Sequence, residues 1–109
     1  MIFNLIKTIY LVLFLILFFL NINLLKADSK MKMGLEVYNN KAMCGSCHTL
    51  SATGSAAEIG PNLDQIKPQI SQIILAVTNG IGVMPAFEGI LTTEEIEAVA
   101  YFVSTSSNK

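Results

Sequence analysis

The chain has no tryptophan, no arginine, a single histidine and only two cysteines. Each shortage excludes something. Without arginine, and with only seven lysines, there is no basic stripe of the kind that nucleic-acid binding requires. Two cysteines and one histidine make three strong metal ligands, one short of a structural zinc site. No run of alternating strands supplies the βαβ framework of a thioredoxin-like dithiol centre. Internal repeats and low-complexity segments are also missing. The charged fraction is low, 14%, and 52% of the residues are hydrophobic.

What is present is concentrated. Both cysteines and the only histidine fall within five residues, Cys44-Gly45-Ser46-Cys47-His48. C-x-x-C-H is the attachment signature of c-type haem. Two thiols three positions apart in a tight turn can each add across one haem vinyl group. The next residue then lies under the iron, where a neutral imidazole nitrogen coordinates it. Three other readings are weaker. A redox dithiol lacks its scaffold, a zinc site lacks a ligand, and a plain disulfide leaves His48 without a purpose.

The hydrophobic fraction belongs largely to the N-terminus. Met1–Lys7 carries one lysine and no acid, and Ile9–Leu20 is twelve apolar residues without a charge. Lys26-Ala27-Asp28 follows, with a small residue before a processing point. This is the pattern of a secretory signal peptide over residues 1–27, cleaved after Ala27. The alternative is an uncleaved anchor. Ile9–Leu25 is seventeen residues, near the lower limit of about 17 for a spanning helix, and Asn21 and Asn23 interrupt its end. Either reading puts residues 28–109 outside the cytoplasm, with membrane contact only if the segment is retained.

Residues 28–109 are one domain of 82 residues, in which five lysines against eight carboxylates give a net charge of −3. So short a chain buries a marginal core and normally needs a staple. With both cysteines committed to haem, the cofactor itself becomes the missing core.

The domain reads as helices separated by Gly/Pro loops. A first helix over Lys32–Lys41 presents Met33, Val37 and Tyr38 and leads into the attachment turn. Ser51–Gly60 reads as loop, closed by Gly60-Pro61-Asn62-Leu63. A helix from about Pro68 carries the stripe Ile70, Ile73, Ile74 and Val77, and stops at Asn79-Gly80. Thr92-Thr93-Glu94-Glu95 fits a capping box before a last helix with Ile96, Val99, Ala100 and Val103 on one face. Ser104–Lys109 reads as a frayed tail.

Between the last two helices lies Gly80-Ile81-Gly82-Val83-Met84-Pro85-Ala86-Phe87. The glycines let backbone approach a ring closely, Met84 offers a soft thioether to iron from the face opposite His48, and Pro85 stiffens the loop. A methionine before proline is by itself ordinary packing. Downstream of C-x-x-C-H in a small domain it is the candidate distal ligand. Met43 abuts Cys44 on the proximal side, and Met31 and Met33 precede or begin the first helix.

In order and spacing these motifs resemble the class I monohaem cytochromes c, over nearly all of Met33–Val103. The resemblance implies an all-α fold, three to four helices wrapped around one covalently attached haem c. It implies that Pro61 offers its carbonyl to the second ring nitrogen of His48, fixing the tautomer. It also pairs Gly34 with an aromatic of the last helix, and the ending Ala100-Tyr101-Phe102-Val103 assigns that contact to Phe102. The cofactor-binding residues are therefore Cys44, Cys47, His48, Met84 and Pro61, with His48 and Met84 on the metal.

With both axial positions filled, iron chemistry on a substrate is disfavoured and one-electron transfer remains. The expected function is a periplasmic electron carrier between redox donor and acceptor proteins, not an enzyme. One alternative is the cytochrome subunit of a periplasmic dehydrogenase complex, such as a sulfite- or alcohol-oxidising one, with its catalytic subunit as permanent partner. A weaker one is a ligand-binding or peroxidase-like haem protein, which requires Met84 off the iron.

Overall fold

A computed structural model describes residues 1–109. No glycine precedes Gly34 and no proline precedes Pro61, so nothing interrupts the first helix. Helix α1 accordingly runs Ile2–Glu36 without a break. The expected boundary at residues 27 and 28 therefore falls inside one continuous rod. Every large apolar side chain from Ile2 to Leu25 is exposed, and this part is long and apolar enough to cross a membrane. The helix gives the molecule a longest dimension of 69 Å.

The rod ends in a wider π turn, Val37–Lys41, closed by Ala42 N–H donating to the Val37 carbonyl at 2.8 Å. Turns of this kind are a common way for a helix to end. Here the turn carries Val37 and Tyr38, both fully buried. Met43 then reverses the chain from a left-handed conformation, φ 51°.

Four α-helices form the domain: α1, α2 (Leu63–Ile66), α3 (Ile70–Asn79) and α4 (Thr93–Ser107). The architecture is all-α, as expected, with a single two-stranded ladder beside the helices. Its centre is the crossing of α1 and α4. A Cβ on Gly34 would lie 2.3 Å from the Ala98 carbonyl oxygen and 2.4 Å from the Phe102 Cβ. Only glycine lets the two backbones approach so closely. Phe102 is the aromatic at this contact, and its ring centroid is 5.8 Å from that of Tyr38. On α4 the expected stripe Ile96, Val99, Ala100 and Val103 is buried, as are Ala98 and Phe102. The capping box forms as expected: Thr92 Oγ1 accepts from Glu95 N–H at 3.1 Å, and Glu95 Oε2 accepts from Thr92 N–H at 3.0 Å.

Four details differ from the sequence reading. Helix α3 starts at Ile70, with Gln72 accepting from the Gln69 N–H, and Ile70 itself stays exposed while Ile73 and Val77 are buried. Ser51–Gly60 is not featureless loop. Strands β1 (Thr49–Leu50) and β2 (Ser55–Ala56) pair antiparallel through a 3₁₀ turn at Ser51–Thr53 and Gly54, φ 75°. Two-residue strands are too short to show a period of two, and hydroxyls stabilise them instead, Thr53 Oγ1 donating to the Leu50 carbonyl at 2.9 Å. The one-turn helix α2 lies between Gly60-Pro61-Asn62-Leu63 and the helix expected from Pro68, where the sequence predicts no element; Asn62 caps it, accepting from the Asp64 and Gln65 N–H groups. Finally, Ser104–Ser107 is helical rather than frayed, and Ser106 and Ser107 are buried. Ser107 Oγ donates to the Ser104 carbonyl at 3.3 Å, satisfying a hydroxyl that burial would otherwise penalise, and the exposed Asn108 Nδ2 donates to the same carbonyl at 2.7 Å.

Candidate functional site

Cys44–Ser46 forms a 3₁₀ turn directly after the left-handed Met43. The N–H groups of Cys47 and His48 both donate to the Cys44 carbonyl, at 3.1 and 3.0 Å. This turn puts the two thiols and the imidazole on one short piece of backbone. Cys44 and Cys47 form no disulfide with each other. Burial pushes the Cys44 thiol up to about 11. The fold holds only the two-stranded β1–β2 pair and no βαβ unit, so a thioredoxin-like centre lacks its framework. The zinc reading also loses its coordination sphere, since no three His, Cys, Asp or Glu side chains gather into a cluster.

The attachment turn is braced from below. Tyr38 is fully buried, and its hydroxyl pairs with Ser55 Oγ at 3.0 Å. Burial raises the Tyr38 pKa above its ordinary value, which keeps the phenol neutral and able to donate. A Cβ on Gly45 would meet Ser55 Cβ at 3.0 Å and Tyr38 Cε1 at 3.4 Å. The core aromatic, the hairpin and the attachment turn are thus packed in one stack.

His48 is held on two sides. Its Nδ1 lies 2.7 Å from the Pro61 carbonyl oxygen. A carbonyl only accepts, so this bond assigns the proton to Nδ1 and leaves the Nε2 lone pair available to a metal. Gly60 N–H donates to the Cys47 carbonyl at 2.7 Å, which lays the Gly60 backbone against the ring. A Cβ there would come within 2.6 Å of Cε1, 2.8 Å of Nδ1 and 3.0 Å of Nε2. The sequence places Gly60 only at the end of a loop; a Gly-Pro pair signals a turn, and nothing local signals contact with a ring twelve residues back.

Met84 sits in a tight turn, with Ile81 N–H to Met84 O at 3.2 Å and Met84 N–H to Ile81 O at 2.9 Å. The turn is pinned to the end of α3, because Phe87 N–H donates to the Val77 carbonyl at 2.8 Å. Gly80 has φ 72°, and a Cβ on it would lie 2.6 Å from the Met84 carbonyl oxygen. The glycine therefore does more than end a helix: it lets the Met84–Ala86 backbone cross over it. Met84 is half-buried, and Met84 and Cys44 pack against the same core cluster.

These residues fit a haem c. Two unbridged cysteines stand at the attachment spacing, an imidazole has one nitrogen committed and the other uncommitted, and a thioether sits on a rigid turn. Ile59, Ile66, Ile70 and Ile81, all between His48 and Met84 in the chain, are exposed by 71, 55, 42 and 68%. So many exposed isoleucines in a small domain suit a large apolar group.

The comparisons with known proteins agree. Residues 29–103 match the family model described as cytochrome c oxidase, cbb3-type, subunit III. Cytochrome c6 of Microcystis aeruginosa is 39% identical over 72 residues, which is 62% of this chain and 89% of that protein. Cytochrome c6 of Leptolyngbya boryana is 34% identical over 80 residues, 70% of this chain and 92% of that one. The crystal structure of the c-type cytochrome SorU from Sinorhizobium meliloti superposes with a TM-score of 0.71 at 49% identity, over 75% of this chain and 95% of that chain.

Proposed function

This chain belongs to the class I monohaem cytochrome c family and carries one covalently attached haem c, and from that premise we propose that it is an exported, periplasmic carrier of single electrons whose haem iron is ligated by His48 and Met84. The haem supplies one-electron chemistry between ferrous and ferric iron. The protein's residues supply the rest. Cys44 and Cys47 tether the group, and His48 presents Nε2 while Pro61 holds the proton on Nδ1. Met84 offers a soft sulfur that favours the reduced metal. No residue here is asked to move a proton or bind a substrate.

The observation that carries this reading is the 2.7 Å contact of His48 Nδ1 with the Pro61 carbonyl, which leaves only Nε2 for iron. Residues 1–27 serve as the export signal, cleaved after Ala27, and the chain's redox partners are proteins outside the cytoplasm. The net charge of −3 on residues 28–109 favours partners with basic docking surfaces.

The test is fractionation of native cells followed by sizing chromatography, with haem absorbance tracking this polypeptide. Soluble periplasmic haem eluting as a small monomer supports the carrier. Comigration with a much larger protein through high salt assigns a dedicated subunit of an oxidoreductase instead. Retention of the lone chain in washed membranes means that α1 stays attached.

A further inference from the structure

We infer that Asp64 is a positioning residue for the His48 imidazole, acting through Ser51; the inference rests on the reading of His48 as an iron ligand. The segments His48–Ser51 and Pro61–Asp64 are joined at both ends. At one end His48 Nδ1 meets the Pro61 carbonyl at 2.7 Å. At the other, the N–H and the hydroxyl of Ser51 both donate to Asp64 Oδ2, at 2.8 and 2.9 Å. The two joints are three residues apart on each segment, and each spans 13 residues of chain. They make a two-point clamp.

On its N-terminal side the Pro61 carbonyl is already anchored by the Gly60 N–H donating to the Cys47 carbonyl at 2.7 Å; its C-terminal side needs an anchor of its own. Proline has no N–H, so the peptide following it is oriented by whatever holds the next residues. Those residues are Asn62, which caps α2 and accepts from the Asp64 N–H at 3.0 Å, and Asp64 itself. Fixing the Asp64 carboxylate on Ser51 therefore fixes the first turn of α2, and with it the direction of the Pro61 carbonyl. Hydrogen-bond strength falls steeply with misalignment, and a metal-bound imidazole donates electrons according to the bond its other nitrogen makes.

A solvating role does not account for this geometry. Asp64 is half-buried and takes part in neither of the protein's ion pairs, which are Asp28–Lys32 and Lys41–Glu95. Its carboxylate is spent on both donors of one serine, and hydrogen bonds to an ionised acceptor are the stronger kind. The nearest charged residue in sequence, Lys67, pairs with nothing.

The experiment uses the holoprotein and reads two quantities, the reduction potential and the exchange rate of the His48 Nδ1 proton by NMR. In Asp64→Ala the proton should exchange about tenfold faster, as for a bond weakened by one net hydrogen bond. The potential should rise, because a less tightly bonded imidazole is a poorer donor to ferric iron. Asp64→Asn keeps a weaker oxygen acceptor and should shift both values in the same direction but clearly less than Asp64→Ala. Thr92→Ala, which removes a distant helix cap, should cost stability and move neither. If Asp64→Ala does not accumulate as holoprotein, Ser51→Ala removes one of the two bonds and should shift both readings less, in the same direction. Wild-type exchange and potential in Asp64→Ala, or in Ser51→Ala where it stands in for it, would overturn the inference, and so would an Asp64→Asn that behaves like Asp64→Ala. Absence of iron-shifted His48 resonances in the wild type would instead overturn the ligand reading, and the inference with it.

Discussion

Gly34 and Phe102 meet more closely than any side chain at position 34 would permit: a Cβ there would lie 2.4 Å from the Phe102 Cβ, with the Ala98 carbonyl oxygen at 2.3 Å. Two backbones are in contact at this crossing, so relief must come from moving a helix. Gly34→Ala should separate α1 from α4 and loosen the Tyr38–Phe102 pair beside it. Overpacking of this kind costs about 1–3 kcal/mol, which denaturant unfolding of the holoprotein would register as a lowered midpoint. A midpoint equal to the wild type's would mean that the helices do not cross at this residue.

Gly60 should be as intolerant, for a different reason. Alanine there places a methyl group against three atoms of the His48 ring, and the ring must turn away from the Pro61 carbonyl. Gly60→Ala should therefore give a lower haem-to-protein ratio and an altered ferric absorption spectrum. Normal loading with an unaltered spectrum would show that the ring lies elsewhere.

Met84→Ala tests the distal side. The thioethers at Cys44 and Cys47 do not depend on it, so covalent haem should be retained. Loss of the sulfur should lower the reduction potential and let the reduced protein bind carbon monoxide at neutral pH. His48→Ala should instead abolish stable holoprotein. An unchanged potential in Met84→Ala would reject that residue as the ligand.

The Lys41 ammonium donates to the Glu95 carboxylate, tying the π turn before the attachment site to the cap of α4. The hydrogen bond and charge of Glu95 hold Lys41 above its ordinary 10.5, and the hydrogen bond from Lys41 holds Glu95 below its ordinary 4.5. A depressed carboxylate contributes stability above 4.5 and loses it as pH falls through its lower folded value. A raised lysine contributes below 10.5 and loses it as pH rises through its higher folded value. Lys41→Met should thus differ from the wild type most between those limits. The difference should shrink in acid and in high salt, as denaturation midpoints across a pH series would show.

Much of this architecture is legible in residue order because its causes are local. The capping box at Thr92–Glu95, the stop at Gly80 and the stripe on α4 each depend on residues within a turn or two. Where the reading missed, distance or brevity was responsible. The β1–β2 hairpin has only two residues per strand, and the buried Ser106 and Ser107 sit in a stretch whose composition suggests a frayed tail.

By itself the sequence determined the cofactor class, through five consecutive residues whose spacing matches two vinyl groups and an iron, and the helical content of the domain. Only the tertiary structure decided that Gly60 must be bare beside His48, that Gly80 yields space to the Met84 turn, and that Asp64 grips Ser51. It also made the apolar N-terminal segment and the first helix of the domain one continuous α1. The division follows the range of the forces. Periodicity, capping and attachment spacing are written into neighbours along the chain, whereas close approach and second-partner hydrogen bonds join residues that meet only after the chain has folded.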